Sequence, residues 1–370
     1  MNKLVFSTSV YQEPAVVFSQ KGQALLIFAG WKKGTAKASS RLLVMKRGVV
    51  SRAPDNISVE WVEKRTLEEA RLEGHRSTTP CPVYDQKNDK LFLFFTCVED
   101  TESQEETESS KTRLCFITSE NLGETWSQVN DLTEHLQENC VAFSAGPGHG
   151  LQTESGRLIV PAHVYIQEEG TDGEPVPHMA ALYSDDDGEY WQFGTTFSDR
   201  STICQMAEVW ENDAMLIYCS TLVEGGLRVE AFSSDNGLTF NTPGGQKSPK
   251  LPSSCQGGVV SFPAQEEDTH EGSQTPHKWL LFSHPASAST RGDLGVYVNT
   301  SPSDPKAWTK PWVIHRGPSG HSDLAYMGNG CFACVFEVGK KEDTNEVALK
   351  IFHYSNIKPD AEGTRICIIF

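Results

Sequence analysis

SENLGETW at 119–126, SDDDGEYW at 184–191 and SSDNGLTF at 233–240 share one shape. Each puts a turn-forming Asn or Asp two residues after a Ser, a Gly two residues further on, and an aromatic residue at the close. That order is a hairpin signature. Asn121, Asp186 and Asp235 can accept backbone N–H groups inside the turn, Gly123, Gly188 and Gly237 can take positive φ, and Trp126, Trp191 and Phe240 can plug the turn onto the sheet beneath. One copy would be an ordinary surface turn. Three copies, 65 and 49 residues apart, describe a repeated antiparallel unit of blade size.

The chain around these turns is a succession of short apolar runs. KLFLFFTCV (90–98), TRLCFITS (112–119), RLIVPAHVYI (157–166), AMLIYCST (214–221), KWLLFSH (278–284), CFACVFEV (331–338) and VALKIFHYS (347–355) carry the β-branched and aromatic enrichment of strands. Only TLEEARLEGH (66–75) and DLTEHLQENC (131–140) read as helical turns. An all-β chain with repeated hairpins predicts a β-propeller, and six blades of about 60 residues would use up its 370 residues as one domain, 1–370. Two polar stretches, 99–110 and 264–278, read as solvated loop inserts because high charge and low hydrophobicity give them nothing to bury.

Net charge is −17, which disfavours nucleic acid and anionic surfaces as bulk electrostatic partners, so an anionic ligand must be held by local cations. The N-terminus lacks the pattern of a signal peptide and no run reaches the roughly 18 apolar residues of a membrane span. A cytoplasmic protein is the expectation. Ten cysteines are scattered through strand-like runs and read as reduced core thiols. Cys331 and Cys334 fall on one strand with two residues between them, so they should face opposite sides. No metal or cofactor motif is present.

GHRSTTPCPVYD (74–85), FSAGPGHGLQTESGRLIVPA (143–162), CQMAEV (204–209), CQGGVVSFP (255–263), WLLFSHP to RGDLGVYVN (279–299) and HSDLAYM (321–327), with the three turn motifs, resemble the vertebrate sialidases of the cytosolic and plasma-membrane-associated type. The resemblance runs from Tyr11 to about Tyr354. It implies a six-bladed propeller whose turn motifs, the Asp boxes of that family, sit at the periphery away from the substrate. It also implies a sialylated glycan or ganglioside as ligand, with peripheral membrane contact open.

Sialic acid carries a carboxylate, so its site needs converging guanidinium groups; bidentate Arg–carboxylate pairs supply charge and orientation together. Sialidases use three arginines, a Tyr nucleophile activated by a Glu, and an Asp general acid and base. The resemblance places these roles residue by residue. The arginine of a Tyr-Arg-Ile-Pro motif is replaced by Gln12 in Tyr11-Gln12-Glu13-Pro14, where Glu13 adds a negative charge. The acid–base Asp falls on Lys37, and no Asp or Glu lies between Glu13 and Asp55. The second arginine falls on Leu222, and Arg228 matches a different position. The third arginine is Arg291. The nucleophilic Tyr is His321, and its Glu partner is placed at Glu208. Arg76 and Tyr165 match further substrate-binding positions.

Each retained residue also has a structural alternative: Arg291 beside Asp293 could be a surface ion pair, Arg76 could bridge blades, Tyr165 could simply pack, and His321 could sit in a solvated turn. Two functions follow. The first is a crippled or inactive sialidase that keeps a glycan-binding pocket lined by Arg291, Arg76, Glu208 and His321. The second is an active glycoside hydrolase in which Glu208 and His321 activate water, with a general acid borrowed from a loop residue such as Glu102.

Overall fold

The computed structural model of the protein describes residues 2–33, 40–53, 56–100, 112–133, 140–167, 174–211, 214–223, 226–242, 255–264, 278–287, 290–340, 343–357 and 367–369. Lys37, Glu102 and most of the 99–110 and 264–278 stretches lie outside these residues. The architecture is all-β and propeller-like. Four sheets follow one another along the chain, opening with Val10–Ser19, His75–Asp85, Cys140–Ala145 and Ser201–Glu211; all their pairings are antiparallel except that of Cys367–Ile369, which adds parallel to Asn56–Trp61 at the edge of the first. A seven-stranded sheet holds the rest, and the 17-residue strand Trp312–Gly328 belongs to both of its halves, pairing with Gly292–Asn299 through its first part and with Cys331–Lys340 through its second. The N-terminal strand Lys3–Phe6 pairs with Asp343–His353, so the chain start is hydrogen-bonded into the last sheet.

The first strands pack side by side around an axis. Val10–Ser19 touches His75–Asp85 on one side and Trp312–Gly328 on the other, and Ser201–Glu211 touches Val259–Pro263. Each junction between neighbouring sheets has its own apolar core. Phe28, Phe95 and Tyr84 join the first and second sheets, Phe94, Phe143 and Trp191 the second and third, and Met179, Met206 and Phe240 the third and fourth. Burying such side chains contributes roughly 1.5–3 kcal/mol each, which is what holds the sheets face to face.

The three turn motifs share one geometry. In the second, Ser184 donates its hydroxyl to Asp186 Oδ1 at 2.8 Å and accepts the Gly188 N–H at 2.9 Å, while the same Asp186 oxygen accepts the Tyr190 N–H at 2.9 Å. Ser119, Asn121 and Thr125 repeat it, as do Ser233, Asp235 and Thr239. Gly188 needs its positive φ of 88°, and its missing Cβ also makes room for the Phe92 ring. Trp191 is buried edge-on against Phe94 at 4.7 Å, so the aromatic does plug the turn onto the sheet.

The cysteines that are described side by side on Cys331–Lys340 part company as expected: Cys331 enters the core shared with the first sheet, and Cys334 the core on the opposite face. One expectation fails. Between the strand ends Thr66 and His75 the segment 66–75 forms turns and bends rather than helix, because Leu67 and Ala70 are pulled into the core, the Leu67 N–H bonds to the Leu43 carbonyl, and the Ala70 carbonyl accepts the Ser77 hydroxyl. Of the 131–140 stretch, 134–139 lie outside the described residues.

Candidate active site

Three of the axial strands break their register close to the same end. The shifts fall between Gln12 and Ala15, Thr78 and Cys81, and Thr202 and Cys204. At each, a residue other than glycine takes left-handed backbone: Glu13 at φ 54°, Thr79 at 50° and Ile203 at 51°. Such conformations cost on the order of 1–3 kcal/mol each, and bulges re-aim the side chains beside them.

Glu337, on Cys331–Lys340, organises this region. It is 2 % exposed, and its carboxylate accepts the Glu13 N–H at 2.9 Å, the His321 N–H at 3.1 Å and the Thr344 hydroxyl at 3.3 Å. Only a glycine at 320 permits this approach, since a Cβ there would stand 2.1 Å from Glu337 Oε2. Burial pushes the Glu337 carboxyl up to about 7, against the pull of those N–H donors and of Arg291. Glu13 is raised as well, chiefly by burial and also by Glu337, while the Thr79 N–H at 2.9 Å, His321 and Arg41 draw it down. His321 is pushed down to about 4 by burial, with the Arg291 cation adding to the effect and Glu13 opposing it. Its imidazole is therefore neutral at neutral pH, and Nδ1 has no hydrogen-bond partner.

A small, open cleft lies beside Glu13, lined also by Gln12, Gly30, Lys32, Arg41, Ser77 and Thr78. Arg291 presents an exposed guanidinium near the cluster and touches Cys255, whose thiol burial raises to about 12 although Arg291 pulls it down. Beneath, Asp323 is fully buried: Oδ1 lies 2.8 Å from His149 Nδ1 and Oδ2 accepts the Val16 N–H at 2.9 Å, tying three sheets across the axis.

Arg291 and His321 therefore lie within electrostatic reach of each other, with Gln12 on the cleft wall. Leu222 is buried opposite Thr202 and Arg228, next to the Ile203 bulge. Arg228 is buried too, with its guanidinium 4.6 Å from the Phe282 ring centroid and bonded to the Ser220 hydroxyl and the Cys255 carbonyl, so it serves packing. Arg76 sits half-buried three positions before Thr79, and Tyr165 is half-buried against His163 at 5.5 Å, opposite Ala142. Lys37 is outside the described residues.

Glu208 requires a correction. Its carboxylate accepts the Glu154 N–H at 2.9 Å and pairs with Lys278, which also binds Glu154 at 2.8 Å. It stands five residues along the strand from the Ile203 bulge, about 16 Å at the ordinary rise per residue, and its carboxylate is engaged with Glu154 and Lys278. The groups that do surround His321 are Glu13, Glu337 and Arg291. Sequence reasoning treated Glu13 only as an adverse charge and passed over Glu337 and Arg41. A signal for Glu337 existed: it is the one carboxylate in the apolar run CFACVFEV, and a buried carboxylate needs donors.

In chemical terms the cluster offers two carboxyls raised above their ordinary range, Glu337 to about 7, a neutral imidazole and an accessible guanidinium. It can hold an anion against Arg291 and exchange a proton through Glu13 or Glu337. It offers no phenol at His321.

The family profile described as BNR repeat-like domain matches residues 22–362. Sialidase-3 of Homo sapiens is 35 % identical, over 95 % of this chain and 91 % of its own, and Sialidase-2 of Mus musculus is 35 % identical over 92 % of both. Among solved structures, the Hadza microbial sialidase Hz136 superposes with a TM-score of 0.76 at 18 % identity, covering 97 % of this chain and 69 % of that one. Trypanosoma rangeli sialidase in complex with sialic acid gives 0.70 at 16 %, covering 96 % and 58 %. With a full-length match to the one group and a shared fold with the other, the chain belongs to the vertebrate sialidase family.

Proposed function

We propose that the protein binds sialylated glycans, gangliosides among them, in the axial cleft and has lost efficient hydrolysis. The carrying observation is His321: a neutral imidazole, flanked by two carboxyls, stands where the family resemblance calls for a Tyr nucleophile. Gln12 and the buried Leu222 stand where it calls for arginines, which leaves Arg291 as the one retained of the three. Charged hydrogen bonds contribute about 1.5–3 kcal/mol each, so two missing arginines weaken carboxylate binding by roughly 10²–10⁴-fold. Loss of a general acid removes a further factor of about 10²–10⁴ in rate. We also infer six blades, with the seven-stranded sheet counted as two around the shared strand Trp312–Gly328, because apolar clusters also separate its two halves and join it to its neighbours on either side.

Glu208 is engaged with Glu154 and Lys278, whereas Glu13, Glu337 and Arg291 surround His321, which favours Glu13 over Glu208 as the partner of His321 in any turnover by this chain. The test pairs a fluorogenic sialoside assay with calorimetric titration of N-acetylneuraminic acid and of a ganglioside oligosaccharide. Binding that disappears in Arg291→Ala, with turnover at background, supports the reading. Absence of any Arg291-dependent binding refutes it.

A further inference from the structure

A row of lysines on aromatic rings starts at the cleft rim. Trp31 lies between Gly30 and Lys32, which line the cleft, and stacks on Tyr11 at 6.3 Å. Lys64 Nζ donates to Tyr11 Oη at 2.8 Å and stands 4.5 Å from the Trp31 ring centroid; Lys33 stands 5.6 Å from the same ring. Further out, Lys3 and Lys46 share the Trp61 ring, at 5.8 and 5.6 Å. Lys46 is drawn below the ordinary lysine range by burial and then by Lys3 and Lys64, as expected of ammonium groups crowded together. Among the described residues no carboxylate pairs with Lys32, Lys33, Lys46 or Lys64, although Glu60 and Glu63 are exposed in the adjoining segment.

In a chain of net charge −17, such a concentration of positive charge attracts an anion locally against the bulk field. The lysines are not loose. Cation–π contacts and the Tyr11 hydroxyl fix their ammonium groups in a set array, which favours a discrete ligand with charges at defined spacing. We propose that this row is a second anion subsite, which receives a carboxylate or sulfate on the continuing part of an oligosaccharide whose terminal sugar occupies the cleft. The proposal deepens the glycan-binding reading and rests on it for the terminal sugar alone. A lipid surface fits less well, because Trp31 and Trp61 are half-buried with ammonium groups on their faces and do not protrude. Leu4, Val49 and Val62 are nevertheless 48, 42 and 43 % exposed in these strands and their flanks, so vesicles belong in the test.

The experiment titrates the full chain with N-acetylneuraminic acid, an α2,8-linked sialic acid tetramer, a heparin-derived tetrasaccharide and phosphatidylserine vesicles, at low and high salt. The tetramer should bind about 10–100-fold tighter than the monomer, with the advantage shrinking as salt rises. Lys46→Met with Lys64→Met keeps the apolar stems, and should remove that advantage while leaving monomer affinity unchanged. Lys33→Ala, on the exposed rim, should lower it partly without any burden on folding. Equal affinity for monomer and tetramer, an advantage that survives these substitutions, or vesicle binding that outcompetes the tetramer would overturn the subsite. If the monomer fails to bind but the heparin tetrasaccharide still binds through Lys46 and Lys64, the cleft reading falls and the subsite stands.

Discussion

The Asp186 hairpin and the Glu13–Glu337–His321 cluster are both made of polar groups tucked against sheets, yet they are satisfied in opposite ways. Asp186 is bonded to Tyr190, four residues away, and to Ser184, two residues away; these bonds hold its carboxyl below the usual range. Glu337 is bonded to the N–H of Glu13, 324 positions away in sequence, and burial holds its carboxyl far above the usual range. The hairpin is therefore a local device that any copy of the motif builds alone. The cluster exists only when Val10–Ser19 meets Trp312–Gly328 and Cys331–Lys340, strands from opposite ends of the chain.

Stability measurements can break this comparison. The largest effect should come from Trp191→Ala, which removes a buried ring packed between Phe92 and Phe94. We expect a loss of about 3–5 kcal/mol in urea unfolding, with Arg291-dependent ligand affinity unchanged at low temperature. A smaller loss would mean that the hairpin aromatics are ornaments of the sheets rather than their anchors.

Glu337 should come next, through its pH dependence. Its carboxyl is raised to about 7 from an ordinary 4.5, so the folded protein holds this proton more tightly than the unfolded chain does. The contribution is present below pH 4.5 and fades as pH rises through 7, a change on the order of 3 kcal/mol. Glu337→Gln should flatten the stability profile between pH 4.5 and 8. An unchanged slope would place the titrating group elsewhere in the cleft.

The smallest effect belongs to Asp186→Ala. Removing one carboxylate from an exposed turn costs about 1 kcal/mol of hydrogen bonding, and the loss should appear only above the acidic range where Asp186 is ionised. Because the sign is opposite to that of Glu337, the two variants distinguish local from long-range satisfaction in one pH series.

The same difference explains what could be read from the sequence. The turn motifs were legible because their donors and acceptors lie within eight residues, and the strands because apolar, β-branched runs are local facts. The placement of Lys3–Phe6 in the last sheet depends on partners hundreds of residues away, and the sharing of Trp312–Gly328 between two halves depends on where one strand changes partners; no local pattern announces either. TLEEARLEGH has helical propensity, but the burial of Leu67 and Ala70 overrides it. At the site, Arg291 and His321 followed from matched segments. The engagement of Glu208 with Glu154 and Lys278 could not be read from CQMAEV, because those partners lie 54 and 70 residues away. Glu13 looked like a mere added charge because neither its burial nor the Thr79 N–H beneath it can be seen in YQEP.

The central claim is that the cleft retains anion binding without the family's chemistry. The direct test follows single-turnover release of sialic acid from a fluorogenic sialoside by the unmodified protein, alongside Arg291→Ala and His321→Ala. The account predicts background release in all three, with sialoside binding lost only in Arg291→Ala. Release well above background by the unmodified protein, abolished by His321→Ala, would contradict it and establish catalysis through His321.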